Sequence, residues 1–219
     1  MNIIITGATG MVGEGVLLEC LQDARITSIL SVSRSTCGKT HPKLKELLVN
    51  DFVNIGDYAS QLAGYDACFF CAGVSSVGMT EEKYHALTYD LTTRFAKAML
   101  QANPQMTFIY VSGALTDSTE KGKLMWARVK GKTENALSRM GFKAQYNFRP
   151  GTMKPVKGQV HLKGFNKYAN LLYPVLALFF TGCTLKEVTD AMINTTEKGY
   201  SKNVLEVKDI KQQATRNDS

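Results

Sequence analysis

The chain has 219 residues, room for a single domain with a full apolar core. Its composition, 44% hydrophobic and 21% charged, is that of an ordinary globular protein and excludes a low-complexity polymer. The net charge of +7 is concentrated: residues 1–120 carry −4, residues 121–167 carry +11 with Glu134 as their one carboxylate, and residues 168–219 balance.

In chain order, short β-rich runs alternate with helical patterns. Ile3–Ile5, Ile26–Val32, Phe52–Ile55, Ala67–Cys71, Thr107–Val111, Ala144–Phe148 and Val204–Val207 read as strands. Met11–Leu21, Glu81–Gln101, Leu124–Met140, Tyr168–Phe180 and Leu185–Lys198 read as helices. Strands alternating with helices of this length indicate βαβ units, and strands that are apolar almost throughout indicate a sheet covered on both faces. The predicted fold is therefore α/β: a doubly wound, mostly parallel sheet of the Rossmann type. Residues 1–219 form one domain, in which 150–200 supply a small, helical substrate-side part.

The apolar run Leu171–Phe180 is shorter than the roughly 20 residues a spanning helix needs, and Pro174 interrupts it. It reads as a buried helix, with a membrane-surface or lid element as the alternative. No secretion signal is visible at the N-terminus. The five cysteines are odd in number and scattered, which suits a reducing compartment better than a disulfide framework. These features predict a cytoplasmic protein.

Between the first strand and the first helix lies TGATGMVGEG, with glycines at 7, 10 and 13. Gly7 permits a tight turn, Gly10 lets the backbone approach a pyrophosphate, and Gly13 lets helix and strand pack closely. The N–H groups opening the helix then face the phosphates. The end of the second strand distinguishes the nucleotides. An NAD site usually carries Asp or Glu there for the ribose 2′-hydroxyl. This chain has Ser31-Val32-Ser33-Arg34-Ser35, and the planar fork of Arg34 suits a 2′-phosphate, so NADP is preferred over NAD.

Several motifs recur in a familiar order: TGATGMVG, the Asp51-Phe52 pair of the third strand, Cys71-Ala72-Gly73, Val111-Ser112-Gly113, the helix of Lys130, and Phe148-Arg149-Pro150-Gly151. Together they resemble the atypical, epimerase-like branch of the short-chain dehydrogenase/reductase superfamily, over nearly the whole chain. The resemblance implies that Gly7, Gly10 and Gly13 cradle the pyrophosphate, that Thr9, Met11 and Val12 beside them also bind the cofactor, and that Arg34 lies at the adenosine ribose. It implies that Ala72 and Gly73 line the adenine or ribose side, and that Arg149, Pro150 and Gly151 stand beside the nicotinamide and substrate. Ser112 matches the catalytic hydroxyl that holds a substrate carbonyl, and Lys130 the lysine on the nicotinamide ribose.

One position departs from the family. The catalytic tyrosine normally stands four residues before the lysine, and here that position is Trp126, which has no acidic proton to give. No tyrosine in the chain has a lysine four positions later. A positioned general acid is typically worth about 10² to 10⁴ in rate, so carbonyl reduction by the usual route should be impaired. Lys130 keeps a ribose-binding role, or else forms a helix-surface ion pair with Glu134 four residues on.

Cys68 and Cys71 spell C-x-x-C, but residues three apart on a strand face opposite ways, so they read as core rather than metal ligands. The three histidines show no ligand spacing. The basic segment 121–167 suits an anionic ligand or an acidic partner, and nothing in it resembles nucleic-acid recognition. Two functions remain open. One is an NADP-dependent oxidoreductase or nucleoside-sugar-epimerase-like enzyme acting on a small, anionic molecule. The other is a non-catalytic NADP(H) sensor or scaffold that binds a protein partner.

Overall fold

The computed structural model describes residues 1–162 and 182–216. Its strands are β1 (Asn2–Thr6), β2 (Ser28–Ser33), β3 (Leu44–Leu48), β4 (Ala67–Phe70), β5 (Thr107–Val111), β6 (Ala144–Arg149), β7 (Thr152–Lys154), β8 (Gly182–Thr184) and β9 (Val204–Glu206). Seven of them form one sheet in the order β3-β2-β1-β4-β5-β6-β9, every neighbouring pair parallel. The chain runs outward from β1 to β3, then returns to the other side of β1 with β4. That reversal places a crevice beyond the carboxyl ends of β1 and β4, where a doubly wound sheet binds its ligand. The predicted Rossmann architecture is the one observed.

The alternation of the first strand shows how the layers form. Ile3 and Ile5 bury into one apolar cluster with Val16, Leu17 and Met192, while Ile4 buries into the opposite one with Phe70, Phe95 and Phe108. Strand side chains point to alternate faces, so a continuous apolar run is what two covered faces require. The first face is closed by α1 (Met11–Gln22), α6 (Leu185–Lys198) and α7 (Val207–Ala214). The second is closed by α2 (Ala59–Leu62), α4 (Leu91–Ala102) and the end of α5 (Met125–Leu137). A five-residue α3 (Glu81–His85) leads into α4 through a π turn at Ala86–Asp90.

The predicted third strand needs correction. Phe52–Ile55 lies in a 3-10 helix (Phe52–Tyr58), capped by the carboxylate of Asp51, which accepts the Val53 N–H at 2.9 Å. The strand is instead Leu44–Leu48, an edge strand whose alternation is broken by Lys45 and Glu46. Edge strands commonly carry charge, which hides them from a search for apolar runs. Asp51 and Phe52 thus follow the third strand rather than lying on it. The predicted helix Tyr168–Phe180 lies outside the described residues, and among those described no helix is long and apolar enough to cross a membrane.

Candidate dinucleotide-binding site

A cleft of about 760 Å³ opens at the crevice between β1 and β4. One wall is the first turn, with Gly7, Thr9, Gly10 and Met11; another is Cys71 to Ser75 at the end of β4. Ser33 and Arg34 of the β2 end, Asn50 to Phe52, Leu87, Leu91 and His161 complete it. Seven of the residues that the sequence placed at the cofactor therefore line one space: Gly7, Thr9, Gly10, Met11, Arg34, Ala72 and Gly73.

The glycines are required by geometry. Gly7 has φ +76°, and a Cβ there would lie 2.8 Å from the backbone of Cys71 and Ala72. At Gly13 a Cβ would overlap the carbonyl of Gly7, so this glycine lets α1 start against the turn. Gly10, with only Gly7 O within 4 Å of its would-be Cβ, leaves its side of the cleft free. Thr6 Oγ1 accepts the Ala72 N–H at 3.1 Å, tying the first turn to the end of β4. A bare cradle of this shape, at the N-terminus of a twelve-residue helix, suits an extended diphosphate. Cys71 contributes a protonated thiol, since burial pushes it up to about 12.

Ser112, Lys130, Arg149, Pro150, Gly151, Val12 and Gly13 do not line that cleft. Val12 packs on the core. Ser112 and Arg149 lie at the carboxyl ends of β5 and β6, beside the cleft, and α5 brings Lys130 to them. Lys130 Nζ donates to the Ser112 carbonyl, and desolvation lowers the lysine to about 8 against a raising influence from Glu134. The Ser112 hydroxyl donates to Glu134 Oε1 at 2.5 Å and also lies 3.2 Å from the Phe148 carbonyl. Arg149 binds both oxygens of Glu134, Nε at 3.0 Å from Oε1, and reaches Ser118 Oγ at 2.6 Å and Glu206 Oε1 at 3.1 Å. Burial opposes the charge on Arg149, but Glu134 and Glu206 more than offset this and hold the guanidinium above its ordinary value.

Sequence spacing suggested Glu134 as the helix-surface partner of Lys130. In the structure Glu134 is 2% exposed and ion-paired with Arg149. Being the one carboxylate among twelve basic residues of 121–167 was the available signal that it has a special place. His161, Leu87 and Leu91 had no such signal, since only the fold brings them to the cleft. Cys68 and Cys71 pack in opposite apolar clusters, as alternation on a strand requires.

Residues 3–121, more than half of the chain, match the NAD dependent epimerase/dehydratase family. The chain belongs to this family. The glycine turn and the β4 end both lie within the matched span. Among curated relatives, the mitochondrial protein fmp52 of Emericella nidulans is 27% identical over 160 residues, covering 68% of this chain and 66% of the relative. The protein of the same name from Aspergillus niger is 26% identical over 156 residues, covering 68% and 65%. The chain thus matches slightly under two thirds of these relatives' length. Their names place them in the mitochondrion, which overturns the cytoplasmic expectation.

Solved structures of the epimerase/dehydratase kind share the fold. A UDP-N-acetylglucosamine 4-epimerase from Methanobrevibacter ruminantium superposes with TM-score 0.66 at 16% identity, over 94% of this chain and 75% of that one. A UDP-glucuronic acid 4-epimerase from Bacillus cereus in complex with NAD gives 0.67 at 14% identity, over 94% and 78%.

Proposed function

We propose that the chain binds a nicotinamide dinucleotide in the cleft, NADP(H) in preference to NAD(H), and exchanges hydride with a small, anionic substrate. The observation that carries the cofactor reading is Arg34, exposed on the cleft lining at the end of β2, where that strand supplies no carboxylate for a ribose 2′-hydroxyl. Asp51, also on the lining, already caps the 3-10 helix through the Val53 N–H. Lys130, reaching from α5 to the end of β5, would hold the nicotinamide ribose, and Ser112, Pro150 and Gly151 would border the reacting ring. Lys121 and Lys123, exposed between β5 and α5, favour a negatively charged substrate or partner. Titration calorimetry tests this reading. NADPH should bind more tightly than NADH, and Arg34→Ala should narrow the gap; equal affinities in the parent protein defeat the NADP assignment.

A second reading is a dinucleotide sensor without chemistry. Two observations favour it: Trp126 in the tyrosine position, and the Ser112 hydroxyl donated to Glu134 rather than left for a substrate carbonyl.

A further inference from the structure

The first turn of α1 holds an unexpected charge. Glu14 is fully buried four residues after Gly10, close to the N–H groups that would receive a pyrophosphate. A bare carboxylate there would repel that ligand. It is not bare. Its oxygens accept the Val160 N–H at 2.9 and 3.0 Å and the His161 N–H at 2.7 Å, and Lys39 Nζ stands 3.3 Å away. Burial raises the Glu14 carboxyl, yet these two backbone donors with Lys39 and His161 bring it below its usual range, so it is ionised.

The same contacts dock the segment after β7 onto α1. Gln159 Nε2 donates to the Met11 carbonyl at 2.6 Å, and Gln159 Oε1 accepts the Val156 N–H at 2.8 Å. Lys39 Nζ reaches the Gly158 carbonyl at 3.4 Å. His161 is thereby held on the lining of the cleft, beside Gly7, Thr9, Gly10 and Met11. Its Nδ1 lies 3.3 Å from Glu14 Oε1 and, among the described residues, makes no hydrogen bond.

We propose that His161 is a ligand of the dinucleotide's pyrophosphate, held over the glycine turn by Glu14. The proposal rests on the reading of the cleft as a dinucleotide site. With Nδ1 turned to a fixed carboxylate, Nε2 points away from it and is the ring nitrogen left for a phosphate oxygen. An Nε2–H there donates to a phosphate oxygen, while Glu14, taken up by the Val160 and His161 N–H groups and faced by Lys39, holds the segment that carries the ring. Glu14 touches no cofactor in this arrangement and acts as a positioning residue.

Affinities of four proteins for NADPH and NADH test this: the parent, His161→Ala, Glu14→Gln and Arg34→Ala. The His161 side chain is 27% exposed, so His161→Ala should keep the parent's circular dichroism. It should weaken both nucleotides by the same factor, about tenfold for one lost charge-assisted hydrogen bond, and leave their ratio unchanged. Glu14→Gln should move both in the same direction, and Arg34→Ala should change the ratio instead. Unchanged affinities in a folded His161→Ala protein overturn the proposal, as does a loss confined to NADPH, which would put His161 on the 2′-phosphate. A parent protein that binds neither nucleotide removes the dinucleotide reading itself, a result separable from either of these.

Discussion

The hydroxyl of Ser112 donates to Oε1 of Glu134 at 2.5 Å, and Arg149 holds both oxygens of the same carboxylate. The ends of β5 and β6 and the middle of α5 are thus locked around one buried charge. A serine in this bond does not present its proton to a ligand without giving up Glu134. The side chain that the sequence resemblance singled out is here part of an ion-pair network.

Breaking that network should be costly. Glu134 is 2% exposed and the Arg149 side chain 10%, so Arg149→Ala leaves a buried carboxylate without its cation, and Glu134→Ala leaves the guanidinium only Ser118 and the exposed Glu206. Glu134→Ala or Arg149→Ala should lose about 3–5 kcal/mol in urea unfolding. The double variant should lose much less than the sum, because the second truncation removes the orphaned charge. Additive losses would contradict a coupled pair.

Lys130 predicts a pH effect with a defined sign. Desolvation lowers it from 10.5 to about 8 in the folded chain. Between about pH 8 and 10.5 the unfolded chain therefore holds the proton that the folded chain has released. Stability contributed through this group rises with pH across that window. The melting temperature of the parent minus that of Lys130→Met should increase from pH 8 to pH 10, and a flat difference would show that the lysine titrates normally.

Gly131, in the middle of α5, has no room for a methyl group: a Cβ would overlap the carbonyl of Asp117. Asp117 in turn folds the loop before α5 by accepting the N–H groups of Thr119 and Gly122. Gly131→Ala should cost about 1–3 kcal/mol by overpacking, despite the better helix propensity of alanine. Scanning calorimetry should show a fall of roughly 2–4 °C per kcal/mol for a chain of this size.

Trp126→Tyr separates the two functional readings. If only the proton donor is missing, NADPH-dependent turnover on a panel of aldehydes and ketones should rise by about 10²-fold or more. Unchanged turnover with unchanged NADPH affinity would favour the sensor.

The parallel sheet, the glycine turn and the Cys71-Ala72-Gly73 wall were legible because each is written locally, as an apolar run or a residue that backbone geometry demands. The third strand was not, since Leu44–Leu48 is a charged edge and the more apolar Phe52–Ile55 drew the assignment. Glu134 was misplaced for a related reason. Helical spacing pairs it with Lys130, but its partner Arg149 arrives from β6, fifteen residues on, across a contact that no periodicity encodes. His161 reaches the first turn from 147 residues after Glu14, through backbone hydrogen bonds that leave no trace in residue type.

β7 and β8 form a separate two-stranded parallel clamp in which Thr152 pairs with Gly182 and Lys154 with Thr184. Gly182 seats it tightly, since a Cβ there would overlap the Thr152 carbonyl. Because the two strands run parallel, the chain leaves the pair at Lys154 and re-enters it at Gly182, at the opposite end. The clamp therefore fixes both where the chain leaves β7 and where it enters α6, and with them the span that any connection between the two must cross.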